Sequence, residues 1–591
     1  MIFYLVTFPI IAASILLWGI AVQRIIDGPS DPFSASNTET PPPCDIVFIA
    51  VWLGVSILAG IVSFIVLFAP LSPEISLLII ALPAIGLIGR PYRGAVSTFL
   101  LDLLKHRPSG FRLILLLVTL LLPICFLGSQ QTILFDTAYY HLPLGRIFEE
   151  FGAIKGLVTL HMNFGQVSSW LVLGAPSTVG GEFGWGSSIA NTFICMLAAV
   201  QAAFALNRIA DGSRRLCDFI AGIGFPLIFL LAARWGMISS LSPDVPTMLL
   251  AVTIAWLLSL PGGHRSVFFA IPVAAFAITI KLSALPIGLI AGIAALYMIR
   301  GESRRFAVSA AIGLAILAPF VSLSVLSTGC LVFPVSLTCF ELPWTPSAEQ
   351  LAVHTETIID AARGGGRALP TDTTIVSQFL TWLSRDKSGA LIILSGGVIS
   401  VLLAIRHASA EKKSHSTARM QLFTPYVLAV LGLIYISVMA PTGRFSGGYT
   451  AVLAAILIAT TPNLEINFRK LITIGLVPLS FAIGTIAIHI TAPGQAVRQM
   501  ISEQVINGVY PDPENGLLYP KRLIPFDIHH PENRQLREWT SKKIGPIIYQ
   551  RPVSTGECWA APPPCLPQGV HPNIKYIDPD RGVRGGFYIA K

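Results

Sequence analysis

Long uninterrupted apolar stretches, separated by short polar ones, make up most of the chain. Windows such as 46–67 and 113–127 contain no charged residue. A bilayer core of about 30 Å requires roughly 17–25 apolar residues of helix. The stretches lack the alternation that a membrane β-barrel requires, and lipid leaves only helices and barrels as spanning structures. The pattern therefore predicts an all-α polytopic membrane protein.

The apolar stretches predict about 14 transmembrane helices. The first of them has no basic start and no clear cleavage site, which favours a retained helix over a signal peptide. The pair 266–281 and 285–299 is short, which suggests tilted or broken helices. The predicted spans are 2–22, 46–69, 74–89, 112–128, 188–207, 219–234, 245–260, 266–281, 285–299, 306–326, 389–405, 423–440, 447–462 and 471–491.

Lys and Arg residues between the spans predict the orientation of the chain. With the spans as given, the basic loops all fall on one side, which the positive-inside rule assigns to the cytoplasm. The outer side then receives loops 129–187 and 327–388 and a C-terminal tail, 492–591. We expect the bacterial inner membrane, with the tail periplasmic or extracellular. The basic residues are Arg90, Arg93, Lys105, Arg107, Arg112, Arg208, Arg214, Arg215, Arg300, Arg304, Arg305, Arg406, Lys412, Lys413, Arg419, Arg469 and Lys470.

Three segments in the outer loops, 142–152, 347–365 and 375–386, have apolar residues at helical spacing. They predict amphipathic helices that lie on the membrane surface. The tail is rich in Pro, Gly and charged residues, so we expect it to pack against the loops rather than fold alone. Its expected anchors are the aromatic residues Tyr510, Tyr519, Trp539, Tyr549 and Trp559.

Composition narrows the function classes. Hydrophobic residues make up 53% of the chain and charged residues 12%, about half the charged share of a soluble domain. The net charge of +9 is spread over short loops without interleaved aromatic residues, so no nucleic-acid partner is expected. The sequence contains no Gly-x-x-x-x-Gly-Lys-Ser/Thr, Cys-x-x-Cys or His-Glu-x-x-His motif, which argues against a phosphate-binding loop and a dedicated zinc site.

Two close cysteine pairs fall in predicted outer segments. Cys330 and Cys339 lie in the second outer loop, and Cys558 and Cys565 lie in the tail. Close pairs on an oxidising face predict disulfides, although all eight cysteines as packing residues is the open alternative. The remaining four are expected to be free.

A lone carboxylate, Asp136, follows the fourth predicted span in "FDTAYYHLP" (135–143). A carboxylate so close to hydrocarbon is poorly solvated, which makes it a better proton acceptor near neutral pH. The alternative is an ordinary helix cap for the following surface helix. Position alone does not choose between the two.

Six short segments together resemble a known family. "FDTAYYHLP" is similar to the Asp-x-x-x-Tyr-His-Leu-Pro signature of bacterial GT-C type glycosyltransferases, which take sugar from a polyprenyl-phosphate carrier. Further segments resemble their outer-loop motifs, and all fall on the predicted outer face. Two features differ from the family: three spans precede the acidic loop, and Asp136 has no acidic neighbour. The other five segments are "HMNFGQVSSW" (161–170), "SLSPDVP" (240–246), "ITIKLSALP" (278–286), "STGCLVFP" (327–334) and "PTGRFSGGY" (441–449).

The resemblance implies a GT-C fold in three parts. An N-terminal extension of three spans would cover 1–110, a catalytic transmembrane module 111–491, and the extracytoplasmic tail 492–591. The implied activity is sugar transfer, with inversion, from a polyprenyl-phosphate donor to an unknown extracytoplasmic acceptor hydroxyl on a glycan, lipid or protein. Membrane lipids are the other expected partner. A transporter or flippase, and a glycan polymerase or ligase, remain alternatives.

Each candidate residue has a structural alternative. Asp136 is the expected base. Arg444 and Lys281 would clamp the departing phosphate, or else snorkel to the interface. Asp244 would hold hydroxyls or join a metal site, or else cap a helix, and no cofactor is certain, with a divalent metal as an alternative. Weaker candidates for substrate contact are His141, Tyr140, His161 and Asn163.

Overall fold

The computed structural model describes residues 2–28, 43–85, 97, 110–128, 134–175, 178–179, 187–261, 265–364, 374–410, 416–473, 539–545, 547–553, 558 and 561–590. Across these residues the fold is mainly helical. The helices are α1 (Ile2–Asp27), α2 (Pro43–Val66), α3 (Pro73–Ile85), α4 (Phe111–Gly128), α5 (Leu142–Glu150), α6 (Ser169–Gly174), α7 (Ala190–Ala210), α8 (Leu216–Arg234), α9 (Asp244–Leu258), α10 (Ser266–Ile280), α11 (Leu285–Tyr297), α12 (Ser303–Thr328), α13 (Ala348–Arg363), α14 (Ile375–Arg385), α15 (Lys387–Ala410), α16 (Ser416–Met439), α17 (Gly443–Thr460) and α18 (Pro462–Thr473).

Within the described ranges, nine helices are long and apolar enough to cross a membrane: α1, α2, α4, α7, α8, α12, α15, α16 and α17. Four shorter apolar helices, α3, α9, α10 and α11, coincide with further predicted spans. The last predicted span, 471–491, lies outside the described residues beyond 473. The structure therefore agrees with a multi-span helical membrane protein, with fewer full-length spans than the 14 predicted.

Helix α2 lies inside the bundle. It packs against α1, α6, α10 and α12, and the Trp52 indole donates a hydrogen bond to Gln201 Oε1 on α7 at 2.7 Å. Gly19 on α1 lies so close to α2 that a Cβ there would be 1.6 Å from the Ala50 carbonyl oxygen. The predicted N-terminal extension thus shares one core with the catalytic module.

The basic loops meet at one end of the bundle, which we call the basal end. Arg215 pairs with Asp45 at 2.5 Å, Arg305 lies 3.4 Å from Asp27, and Arg112 pairs with Asp211. Arg469 donates to the Ser213 carbonyl, and Arg406 to Thr461 Oγ1. The grouping predicted from the loops is therefore present for these residues. Arg90, Arg93, Lys105, Arg107, Lys412 and Lys413 lie outside the described residues.

The described parts of loops 129–187 and 327–388 and of the tail lie at the opposite end. Helices α5, α13 and α14 coincide with the three predicted surface helices. The described strands form two-stranded antiparallel pairs: β1 (Thr178–Val179) with β2 (Ser187–Ser188), β3 (Trp539–Ile544) with β4 (Ile547–Pro552), and β5 (Ile574–Tyr576) with β6 (Phe587–Ile589).

The tail is attached to the first outer loop. The Phe587 amide donates to the Lys155 carbonyl at 2.9 Å, and Arg584 donates to the Glu150 carbonyl at 3.1 Å. Gly156 has φ +68°, and a Cβ there would meet the Phe587 carbonyl oxygen at 2.0 Å, so glycine is required for this contact. The tail therefore packs on the loop, as predicted.

Of the predicted tail anchors, Tyr549 is buried, and Trp539 packs on the cluster around Cys558 and Cys565. Tyr510, Tyr519 and Trp559 lie outside the described residues. The structure joins Cys330 to Cys339 and Cys558 to Cys565. Cys44, Cys125, Cys195 and Cys217 form no disulfide and are buried.

Candidate active site

Four charged side chains from separate segments converge at the end opposite the basal end. We call Asp136, Asp244, Lys281 and Arg444 the site cluster. Arg444 Nη1 lies 2.9 Å from Asp136 Oδ2, and its Nε lies 3.6 Å from Asp244 Oδ2. Lys281 Nζ lies 2.5 Å from Asp244 Oδ1. Two carboxylates and two cations thus form one connected and formally neutral group.

Each member of the site cluster lies where a helix begins or ends. Asp136 directly precedes a π-helical turn, Thr137–His141, which leads into α5. Asp244 is the first residue of α9, Lys281 follows the last residue of α10, and Arg444 is the second residue of α17. Single π-turns are rare and are frequently found at functional sites. The side chain of Asp136 makes no cap hydrogen bond, so the helix-cap alternative for this residue is wrong.

Buried polar side chains fix the loop that carries Asp244. Asn191 donates to the carbonyls of Met237 and Ser242 at 2.9 and 3.0 Å. Its own carbonyl accepts from the Trp170 indole at 2.9 Å. Because Asn191 and Trp170 are buried, these hydrogen bonds are protected from water, which makes their loss costly. The loop before α9 therefore holds Asp244 in a defined position.

An aromatic ring supports the two cations. Lys281 Nζ lies 3.4 Å from the centroid of the Phe445 ring, and Arg444 Cζ lies 5.2 Å from it. Asp244 is only 3% exposed, whereas Asp136, Arg444 and Lys281 are 30%, 33% and 28% exposed. The cluster is therefore closed on the Asp244 side and open to solvent on the Asp136 side. Arg444 and Lys281 both pair with carboxylates, and their snorkelling to the membrane interface stays a prediction.

His141 presents an unpaired nitrogen inside the protein. Its Nδ1 lies 3.3 Å from Thr137 Oγ1, while its Nε2 is buried and has no partner among the described residues. Burial lowers the pKa of His141 to about 4, although Asp136 and Asp244 oppose that shift. The imidazole is therefore neutral at pH 7, with Nε2 available to a ligand.

The remaining candidates, Tyr140, Asn163 and His161, form a group of polar side chains next to Asp136. The Tyr140 hydroxyl donates to Gln166 Oε1 at 3.4 Å, and Gln166 Nε2 donates to Asn163 Oδ1 at 3.3 Å. His161 Nε2 lies 3.1 Å from the Tyr139 hydroxyl. Burial raises the pKa of Tyr140 well above its usual value, with Asp136 contributing in the same direction, so the phenol stays protonated.

Sequence reasoning missed Tyr139 and Gln166. Both lie inside segments that had been singled out, "FDTAYYHLP" and "HMNFGQVSSW". For Gln166, the available signal in the sequence is its spacing of three residues from another polar residue, Asn163.

The residues of the site do not fit a resident divalent cation. No group of three or more His, Cys, Asp or Glu side chains suited to a metal occurs in the part of the chain that the structure describes. The two carboxylates are instead neutralised by Arg444 and Lys281, which take the place of a metal charge.

A family model, described as "Domain of unknown function (DUF8201)", matches residues 1–451. The chain belongs to the DUF8201 family. The DUF8201 match contains every member of the site cluster and ends inside α17, so the described tail residues lie beyond it. Neither a curated protein nor a solved structure matches this DUF8201 chain.

Proposed function

We propose that the protein is a GT-C type membrane glycosyltransferase that moves a sugar, with inversion, from a polyprenyl-phosphate donor to an extracytoplasmic acceptor hydroxyl. The observation that carries the proposal is the site cluster itself. A candidate base, Asp136, lies beside two cations suited to a phosphate, at the same end of the bundle as the surface helices. The six resembling segments give the proposal its family context.

The proposed step balances with the residues at hand. The acceptor oxygen attacks the anomeric carbon and forms the new C–O bond. The bond between that carbon and the phosphate oxygen breaks, and polyprenyl phosphate leaves with its electron pair. Asp136 takes the hydroxyl proton, which is worth roughly 10²–10⁴-fold in rate for one positioned base. Phosphate is a good leaving group once its charge is stabilised, so no general acid is needed.

Arg444 and Lys281 would stabilise the leaving phosphate. In the absence of substrate, Arg444 pairs with Asp136 at 2.9 Å. A donor phosphate competes for the guanidinium, because Arg forms strong charge-assisted hydrogen bonds with phosphate. Donor binding would thereby release Asp136 for proton transfer. His141 Nε2, buried and unpaired, is a further polar contact for the substrate.

The position of the charges favours an enzyme over a transporter or flippase. Transporters tend to place ionisable groups near the bilayer midplane. In the described parts of the candidate spans, every Asp, Glu, Lys and Arg lies close to a helix end. A glycan polymerase or ligase of another fold is the remaining alternative, and it would depend less on Asp136 than on arginine.

The proposal includes the membrane orientation. The basal end would face the cytoplasm, and the site cluster and tail the periplasm or cell exterior, with further spans supplied by the shorter helices and by 471–491. A phosphatase reporter fused after residue 591 should be active and a cytoplasmic fluorescent reporter there dark. The reverse pattern would exclude an extracytoplasmic tail and active site.

The direct test is donor turnover. The protein is purified in detergent, polyprenyl-phosphate sugars are supplied one at a time with a mixture of hydroxyl acceptors, and released polyprenyl phosphate is measured. We expect release with one or a few donors, and loss of release in Asp136→Asn. A folded Asp136→Asn variant with normal turnover would exclude Asp136 as the base.

A further inference from the structure

An exposed aromatic pair borders Asp136. The rings of Phe135 and Tyr139 stack with their centroids 5.0 Å apart and their planes at 22°. Phe135 is 53% exposed. A pyranose ring has an apolar C–H face and a rim of hydroxyls, so it pairs with a flat aromatic face that has hydrogen-bonding groups at its edge.

Hydrogen-bonding groups lie at the edge of this pair. The Tyr139 hydroxyl is 3.1 Å from His161 Nε2. The side chain of Gln568 lies close enough to oppose the rise in the Tyr139 pKa that burial causes. Gln568 is exposed and comes from the C-terminal tail. Its carboxamide supplies both donors and an acceptor, which suits vicinal sugar hydroxyls.

Contacts within the tail hold the segment that carries Gln568 in place. The Gln550 amide donates to the Pro564 carbonyl, and the Leu566 amide donates to the Gln550 carbonyl, both at 2.9 Å. The disulfide at Cys565 and the fully buried side chain of Leu566 fix the chain just before Gln568. This is a supported position rather than a free surface amide.

We infer that the acceptor is a carbohydrate, bound between the Phe135–Tyr139 pair and Gln568. The inference rests on the proposed function and names its acceptor class. Because the family match ends at residue 451, Gln568 comes from a segment outside it. The proposed acceptor site therefore joins the family region, through Phe135 and Tyr139, to the tail, through Gln568.

Saturation-transfer NMR on the full-length protein tests the sugar site without requiring turnover. The protein is held in lauryldimethylamine oxide, which has no sugar headgroup, and methyl pyranosides are the probes. We expect transfer to the ring C–H protons of at least one pyranoside. Phe135→Leu and Gln568→Ala should each weaken its Kd by roughly threefold to tenfold. Phe135→Tyr keeps the aromatic face, and Lys575→Ala alters an exposed tail residue elsewhere, so both should bind normally.

The outcomes separate this inference from the proposed function. No transfer to any pyranoside, or equal transfer in Phe135→Leu and Gln568→Ala, would overturn the carbohydrate site even if donor turnover is observed. Sugar binding that both variants weaken, together with no turnover of any donor, would support the site and count against the transferase. With turnover established, both variants should raise the acceptor KM and leave the donor KM unchanged.

Discussion

The two ends of the bundle carry charge clusters that have the same number of carboxylates and cations but differ in exposure and pairing. At the basal end, Asp45, Arg208, Arg215 and Asp218 form what we call the basal cluster. Helix α7 joins the two ends, with Asn191 near the site cluster and Arg208 about 26 Å further along the helix. Both clusters contain two carboxylates and two cations.

The clusters differ in exposure and in how completely they are paired. Asp45 and Asp218 are fully buried. Asp218 accepts from Arg208 Nε at 2.8 Å, Arg215 at 3.0 Å and Ser213 Oγ at 2.5 Å. In the site cluster Asp136 is 30% exposed and accepts from Arg444 at 2.9 Å. A closed network stabilises helix positions, whereas an open one leaves room for a ligand, so the same charges serve structure at one end and chemistry at the other.

The largest expected effect is on activity at the site cluster. Asp136→Asn should lower transfer by roughly 10²–10⁴-fold, because it removes the proton acceptor. The Asp136–Arg444 pair is about one-third exposed, so its loss should change stability by only about 0–1 kcal/mol. Initial rates and thermal unfolding in detergent measure the two effects. Glu341→Gln, an exposed outer-loop control, should leave both unchanged.

At the basal cluster, a large effect is expected on stability and little effect on activity. Asp218→Asn should lower the free energy of unfolding by about 3–5 kcal/mol, because it leaves buried guanidinium charge poorly compensated. The surviving folded protein should transfer at the normal rate per molecule. Asp211→Asn is the control, since Asp211 pairs with Arg112 but is 59% exposed. If Asp218→Asn is no less stable than Asp211→Asn, the basal cluster is not a structural clamp.

A smaller effect is expected when charge is kept and geometry is changed. Arg444→Lys should lower transfer about tenfold to a hundredfold, because one ammonium cannot contact Asp136 and Asp244 through separate nitrogens. Measuring kcat and the donor KM separately shows whether the loss lies in the leaving-group step. An unchanged rate in Arg444→Lys would mean that the guanidinium fork is not used.

An effect of similar size is expected from a pH dependence that belongs to the site end. The pKa of His141 is about 4 in the folded protein, below its ordinary value near 6.5. The unfolded chain therefore binds the proton first, and stability falls as pH drops from about 6.5 to 4.5, by about 2–3 kcal/mol from this residue. The charged groups around His141 are Asp136, Asp244, Lys281 and Arg444. Burial lowers the pKa of His161 as well.

His141→Gln should reduce this acid loss of stability, as seen in unfolding midpoints at pH 7 and pH 4.5. The basal cluster contains no histidine and lies at the other end of the bundle, so Asp218→Asn should retain the acid loss of stability that comes from His141. An identical pH dependence in His141→Gln and wild type would refute the burial argument for His141.

The sequence revealed the members of the site cluster because each is a lone charge beside an apolar stretch. It did not reveal their pairing, since Asp136 and Arg444 are 308 residues apart and no local pattern links them. Tyr139 and Gln568 were missed for the same reason: their contact joins the first outer loop to the tail. Asp45 was missed because one carboxylate at the start of a span is typical of a solvated helix end.

The span count was less predictable than the helical class. Hydropathy identifies an apolar stretch but not the point at which its helix ends. The break at Lys281, between α10 and α11, agrees with the pair of short spans predicted there. Helices α9, α10 and α11 are 15, 15 and 13 residues long, one or two residues shorter than the predicted spans 245–260, 266–281 and 285–299.

The contact between the tail and the first outer loop can form only late in synthesis. Arg584 follows Glu150, whose carbonyl it contacts, by 434 residues. At about 5–20 residues per second, a ribosome needs roughly 20–90 seconds to make that interval. Throughout this time the spanning helices up to α17 can insert before the tail reaches residues 150–156. A chain released before its last strand would have its membrane helices inserted but would lack the contacts between the tail and this loop. A protease acting on that loop could distinguish unfinished chains from finished ones.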